Sequence, residues 1–141
     1  PVRTPMQWSS ARWAGFSAHQ PCVPLADDFE QLNVAVERDD PASLLSLYRR
    51  LIELRRTEPA LSVGAYAALP SVEHLMVYMR KAGERRLVIA LNFSAQPCVL
   101  NIGDLQAHAV VLLSTNLDRQ QEEPAEDLTL RANEGVIIEL L

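Results

Sequence analysis

The chain has 141 residues, 48% of them hydrophobic, with a formal net charge of -5, so it has room for one domain, or a small domain plus part of another, and ample material for a core. The acidic balance and the absence of a basic patch outside one arginine-rich segment argue against a nucleic-acid partner. The longest apolar runs, near Leu87 to Leu91 and Ala109 to Leu113, fall far short of the ~20 residues that span a bilayer, so no membrane partner is expected.

Cys22 and Cys98 are far apart and lack metal-ligand spacing. They read as free thiols, with a disulfide between them as the alternative, and this favours a reducing, cytoplasmic location. The chain opens at Pro1 with neither an initiator Met nor a secretory h-region, which fits a processed chain or a piece of something longer.

Residues 1 to 39 carry Pro1, Pro5, Pro21 and Pro24 among several turn formers and show no sustained helical or alternating pattern. A long ordered loop is the expectation, and in a compact domain such a loop is usually functional. Trp8, Trp13, Phe16 and Phe29 are expected to order it by packing, since each aromatic buries on the order of 150 to 250 Å².

Asp40 to Glu58, DPASLLSLYRRLIELRRTE, reads as one long helix. Asp40 suits the N-cap and Pro41 the first helical position, while Pro59 stops the helix by forcing Glu58 out of the helical region. Arg49, Arg50, Arg55 and Arg56 lie in the half where the macrodipole favours cations. Leu44, Leu45, Leu47, Tyr48, Leu51, Ile52 and Leu54 cover about half the circumference, so packing on more than one side is expected. Arg55 falls inside that arc, so its guanidinium either is partly buried against acceptors or snorkels to solvent.

After the helix the period changes to two. Strands are predicted at Gly64 to Leu69, His74 to Arg80, Arg86 to Asn92, Cys98 to Ile102, Ala109 to Ser114, Leu128 to Leu130 and Val136 to Leu140. Lys81-Ala82-Gly83-Glu84 and Asn133-Glu134-Gly135 read as tight turns, making neighbours antiparallel. Leu87 to Leu91, apolar on both faces, should be the central strand. Asp118 to Asp127 reads as an exposed acidic loop. With no helix-length pattern after Pro59, the fold class is mainly β: an antiparallel sandwich or Greek-key barrel. Tyr66, Tyr78 and Phe93 are the aromatics of this part, and two of the three are expected to alternate inward.

Marks of chemistry are sparse. No Gly-rich phosphate loop or G-x-S-x-G elbow occurs. His19, His74 and His108 are isolated, so no metal is expected, and no other cofactor. Asp27, Asp28, Glu37, Asp39 and Asp40 are acidic, but the first pair sits in an irregular loop and the last caps a helix, so no catalytic dyad is assigned.

Arg3-Thr4-Pro5-Met6-Gln7-Trp8, then Ala14-Gly15-Phe16-Ser17, Asn33-Val34-Ala35 and Asp40-Pro41 closely resemble the C-terminal part of α-glucosidases of glycoside hydrolase family 13. Leu54-Arg55-Arg56, Pro59-Ala60-Leu61, Gly64, Leu91-Asn92-Phe93-Ser94 and Glu134-Gly135-Val136-Ile137 extend the resemblance over essentially the whole chain. The R-T-P-M-Q-W string is specific to the oligo-1,6-glucosidase, trehalose synthase and sucrose isomerase branch. One departure is Pro21-Cys22-Val23-Pro24, where relatives commonly carry an aromatic between the prolines.

The resemblance implies a (β/α)8 barrel enzyme of which this chain holds the end. Residues 1–60 would be the loop after the eighth strand and the eighth helix, and residues 61–141 a C-terminal antiparallel β-sandwich. The family's nucleophilic Asp, acid/base Glu and stabilising Asp lie on earlier strands, so no catalytic residue is assigned here. Arg3 is the one substrate-binding residue the resemblance implies, its guanidinium reaching the sugar of the innermost glucose pocket. Gln7 and Trp8 are assigned mainly to loop packing.

The leading expectation is thus a pocket-lining loop and a stabilising sandwich of a retaining α-glucosidase acting on short oligosaccharides, not catalytic alone. A transglycosylating relative such as trehalose synthase, or a non-catalytic structural or carbohydrate-binding sandwich, are the alternatives. The expected partners are the oligosaccharide, the missing catalytic barrel and, for the isolated chain, a second copy of itself.

Overall fold

A computed structural model describes residues 3–100, 108–119, 122–124 and 128–141. Its backbone separates into two compact units, Pro1–Arg49 and Arg50–Leu141, with the division falling inside a helix.

The first unit is mostly irregular, as its turn formers require, but it contains a tight turn at Arg12–Gly15 and a short helix α1 at Val34–Asp39. The helix starts at Asn33, which is buried. Its Oδ1 accepts from the Val36 N–H at 3.1 Å, while its Nδ2 donates to the carbonyls of Phe29 and Glu30 at 3.0 and 3.3 Å. One side chain thereby caps the helix and fastens the preceding loop. α1 is a turn and a half inside a stretch whose lack of periodicity predicted loop throughout.

The long helix α2 runs over Leu44–Thr57, four residues later than its predicted start. Asp40 does act as a local acceptor, but it closes a turn: its Oδ1 accepts from the Ala42 N–H at 2.8 Å and its carbonyl from Ser43 N–H at 3.2 Å. The cap is Ser43, whose hydroxyl accepts from the Ser46 N–H at 3.1 Å and donates to the Glu37 carbonyl at 2.6 Å. The Glu37 carboxylate takes a further orphan donor, the Leu45 N–H, at 3.2 Å, so α1 satisfies one donor of the first turn of α2 and Ser43 another. The stop falls where expected, with Glu58 extended ahead of Pro59, which opens a one-turn helix α3 at Pro59–Ser62. Arg55 combines its two predicted fates: it is exposed, and its Nη1 donates to the Leu61 carbonyl at 3.2 Å.

The second unit is built on two antiparallel sheets in a sandwich-like arrangement. The larger holds β1 (Ala65–Ala68), β2 (Leu75–Ala82), β3 (Arg85–Asn92), β5 (His108–Ser114), β6 (Glu122–Pro124) and β8 (Gly135–Leu140), in the order β1-β2-β3-β8-β5-β6. The smaller pairs β4 (Cys98–Val99) with β7 (Thr129–Leu130). β2 and β3 form a hairpin in register Ala82↔Arg85. Gly83 takes φ 59 at the first central position, where a II′ turn places glycine.

Every predicted strand has a counterpart, although residues 101 and 102 of the fourth lie outside the described residues. The predicted acidic loop needs correction, because Glu122–Pro124 pairs with His108 to Val110 as an edge strand. Acidic composition fits an edge as well as a loop, and Pro is tolerated there. A register shift at Val111/Leu113 lets β5 bend against β8.

The core lies between the sheets. Val77, Val88, Ala90, Val111, Val136 and Ile138 from the large sheet meet Leu100, Leu128 and Leu130 on and beside the small one. On the opposite face of β3, Leu87 and Ile89 are also buried, with α3 packed on β2 and β3. This is why the strand reads as apolar on both faces. Tyr66 and Phe93 are exposed at 58% and 66%, against the expected inward alternation. Tyr66 sits on β1, the edge strand among the described residues, with its ring centroid 5.5 Å from that of Tyr78.

Candidate functional site

The segment from Arg3 to Ser9 is held by backbone bonds from two directions. The carbonyl of Ala14 accepts from the N–H groups of Trp8 and Ser9 at 2.9 and 3.1 Å. From the other side, Val34 and Ala35 donate to the carbonyls of Gln7 and Trp8 at 2.9 and 3.1 Å. Gln7 adds a side-chain tie, its Nε2 donating to Asp28 Oδ1 at 3.2 Å, and Pro5 is buried. Asp28 is therefore engaged in holding the loop, and Asp40 and Glu37 serve backbone donors around the two helices. Arg3 is exposed at the start of the segment, and no side chain among the described residues engages it.

The acceptor that anchors this segment belongs to a strained turn. Trp13 and Ala14 lie at φ/ψ of 59/30 and 58/22, and Gly15 follows at φ 66, giving a left-handed turn of which only the last residue is glycine. For an L-residue with a Cβ, this costs roughly 1–2 kcal/mol each. Arg12 offsets part of it, with its guanidinium carbon 4.9 Å from the centre of the Trp13 ring. Such a run persists only where its surroundings over-determine it. Trp8 and Phe16 on either side of it are half in solvent, at 51% and 50%, whereas Trp13 and Phe29, the other two aromatics expected to order the segment, are partly buried. Gln7 is half-buried and bonded, as a packing residue should be.

A second polar constellation sits in the β-unit and was missed by sequence reasoning. Glu134 has a side chain with 0% exposure. Its Oε2 accepts from the Arg131 N–H at 2.7 Å and from Arg119 Nη2 at 3.1 Å, and its Oε1 from Ser114 Oγ at 2.6 Å and Arg131 Nη2 at 2.7 Å. Arg131 also grips Asp118 with both terminal nitrogens, at 2.6 and 2.7 Å. Burial pushes the Glu134 carboxyl up, but the bonds from Arg131, Ser114 and the Arg131 backbone together outweigh it and hold the group below the ordinary value. Asp118 is lowered by its bonds from Arg131. The available signal was an acid at a turn directly before a buried strand, in a chain whose arginines at 119 and 131 flank an acidic stretch. Asn92, also buried, donates to the carbonyls of Gln96 and Arg131 at 2.8 and 2.9 Å, joining the same end of the sandwich.

A third constellation is a clamp, with Arg85 forking onto Glu58 at 2.7 and 2.9 Å and also bonding Glu139. The Arg85 bonds hold Glu58 below the usual carboxylate range. These charges are matched and bonded among themselves, which is the signature of structural ties. A cleft of about 300 Å³ lies between the second half of α2 and β5, lined by Arg50, Glu53, Leu54, Thr57, Leu112 and Leu113. With one carboxylate in its wall it has no acid/base pair. Among the described residues, no group of three or more His, Cys, Asp or Glu is placed to hold a metal ion, and no helix is long and apolar enough to cross a membrane.

Comparison with known proteins assigns the first part of the chain: residues 1–64 match the α-amylase family, described as its catalytic domain. Oligo-1,6-glucosidase of Bacillus cereus is 31% identical over 141 residues, covering 99% of this chain and 25% of that protein. The chain belongs to glycoside hydrolase family 13, the α-amylase superfamily. Solved family 13 structures similar to it include the trehalulose synthase of Pseudomonas mesoacidophila, with a TM-score of 0.88 at 29% identity, covering 99% of this chain and 25% of that one. The isomaltulose synthase of a Klebsiella species superposes with a TM-score of 0.89 at 26% identity, covering 98% and 25%. The chain thus spans about a quarter of the length of the family 13 proteins it matches. The sandwich of β1 to β8 and the few helices before it correspond to a mainly β domain after the tail of a (β/α)8 barrel.

Proposed function

We propose that these residues form the C-terminal portion of a retaining family 13 enzyme that moves an α-glucosyl group from one sugar to another, with residues 1–60 belonging to the catalytic barrel and residues 61–141 forming a β-sandwich. The observation that carries this reading is the likeness, over nearly the whole chain, to solved trehalulose and isomaltulose synthases, whose names denote rearranged disaccharides. Hydrolysis is the second reading, favoured by the 31% identity to an oligo-1,6-glucosidase.

In either case the bond-breaking carboxylates belong outside these residues. A retaining route needs two carboxyls ~5 Å apart beside a sugar pocket, and Asp28, Glu37 and Asp40 are taken up in local bonds. This part contributes Arg3, whose planar fork can donate to sugar hydroxyls and a carboxylate together. The matched ion pairs of the sandwich give it a supporting role.

The test is to incubate the complete protein with sucrose, and separately with isomaltose, and to identify products by NMR. Isomeric disaccharides in excess over free monosaccharides support transfer, and free monosaccharides alone replace it with hydrolysis. The 141 residues by themselves are expected to show no turnover of either sugar, and measurable turnover would overturn the assignment of chemistry to residues outside them.

A further inference from the structure

Three of the strings that carry the family resemblance, Arg3 to Trp8, Ala14 to Ser17 and Asn33 to Ala35, lie apart in the chain and are bonded to one another in the fold. The second meets the first through the Ala14 carbonyl, which accepts from Trp8 and Ser9. The third meets it at the start of α1. A helix begins with N–H groups that have no partner inside it, and in α1 the first two of these, on Val34 and Ala35, donate to the carbonyls of Gln7 and Trp8 at 2.9 and 3.1 Å. The next, on Val36, is taken by Asn33 Oδ1.

α1 has six residues, too few to hold a helix by its own bonds, since isolated helices below ~12–15 residues are marginal in water. It therefore depends on its cap, and Val34 and Ala35 stay aimed at Gln7 and Trp8 only while Asn33 keeps the first turn wound. Asn33 also acts from its other end. Its Nδ2 holds the carbonyls of Phe29 and Glu30, and the residue before them, Asp28, accepts from the Gln7 side chain. At 4% exposure, the Asn33 amide has little water to replace any bond that is removed.

From Gln7 back to Arg3 the chain has little freedom. Pro5 is buried, its ring fixes its own φ, and it restricts Thr4 before it to extended backbone. A shift at Gln7 and Trp8 is thus carried to Arg3 rather than absorbed on the way. We propose that Asn33 is a positioning residue: by winding the first turn of α1 and fastening Phe29 and Glu30, it sets the segment from which Arg3 reaches the glucosyl unit. The assignment rests on the sugar-binding role proposed for Arg3 and adds a residue that acts on the sugar only through it.

The test is pairwise, on the complete protein, with nitrophenyl α-glucoside as the probe because its cleavage reports hydrolysis and glucosyl transfer alike. Asn33→Ala removes the cap and both donors, Asn33→Ser restores the cap alone, and each is measured with Arg3 and with Arg3→Ala. With Arg3 present, Asn33→Ala is expected to lower kcat/KM about tenfold or more, and Asn33→Ser to recover part of that loss. In the Arg3→Ala background the same Asn33→Ala change should cost less than about twofold, because the side chain it misplaces is gone. Equal fold-losses in both backgrounds, or a lower melting temperature with unchanged kinetics, would make Asn33 a purely structural residue and overturn the proposal. If Asn33→Ala fails to fold, Asn33→Ser in the two backgrounds decides in the same way. Full activity of Arg3→Ala alone, or a wild type without activity on the probe, would instead overturn the role of Arg3 on which the proposal stands.

Discussion

Glu134 shows how much a single buried charge can organise. Its carboxylate is fully enclosed and satisfied by Arg131, Arg119 and Ser114, while Arg131 is partly exposed and keeps Asp118 as a second partner, so the cost of removing the charge is that of buried donors left without their acceptor, about 1–3 kcal/mol. Glu134→Gln preserves shape and removes only the charge, so a destabilisation of that order is expected in denaturant titrations. The acid limb should change with it. The folded-state values of Glu134 and Glu58 lie below the ordinary glutamate value of 4.5, so their contribution is complete above that value and is lost as pH falls through the lowered folded values. Thermal melts from pH 6 downward should show a shallower acid decline for Glu134→Gln than for the wild type, and parallel declines would contradict this account. Arg3 makes a different demand: in the complete protein, Arg3→Lys keeps the charge but loses the fork, and kcat/KM should fall by an amount worth ~2–4 kcal/mol with little change in melting temperature. Normal activity with lost stability would make Arg3 a structural tie.

At the scale of single elements, two glycines with similar backbone angles separate conformational cost from contact. Gly83 has φ +59 and open space where a Cβ would go, whereas a Cβ on Gly15, at φ +66, would meet Ser9 Oγ at 2.7 Å. Gly83→Ala and Gly15→Ala should each carry a positive-φ penalty of at least roughly 1–2 kcal/mol, and only Gly15→Ala adds a contact. Equal losses in chemical denaturation would mean that the Ser9 hydroxyl simply turns away. These two turns also mark what could be read from the chain and what could not. Gly83 lay between an alternating run and an all-apolar one, so the hairpin was legible, as were the central β3 and the stop at Pro59. The start of α2 was misplaced because Asp40 and Ser43 are both good local acceptors, and the choice was made by the Ser43 bond to Glu37, six residues away. α1 was too short to display a period. At the candidate site, the part Gln7 plays in holding the loop was legible through the motif that contains it. A left-handed Trp and Ala have no sequence signature, because propensity argues against both.

The whole molecule leaves one stripe of α2 uncovered. Leu44, Tyr48 and Ile52, spaced four apart, are exposed at 61%, 58% and 48%, and contiguous apolar surface of this kind is seldom left in water. At ~1.5–3 kcal/mol for each large side chain fully buried, the stripe should draw the isolated 141 residues into self-association. Sedimentation of the wild type beside a Leu44→Glu, Ile52→Glu double variant tests it, and a wild type that stays monomeric at high concentration would remove the stripe as the cause. The two ends of the six-stranded sheet differ in a related way. At one end, β6 closes with Pro124, whose missing N–H discourages another strand from docking there. At the other end, β1 reads Ala-Tyr-Ala-Ala, with all four residues exposed and a single paired neighbour, β2. Nothing in its composition repels an incoming chain, so under stress that opens the fold, runaway cross-β growth should start from β1, and the β6 end should cap any stack that forms.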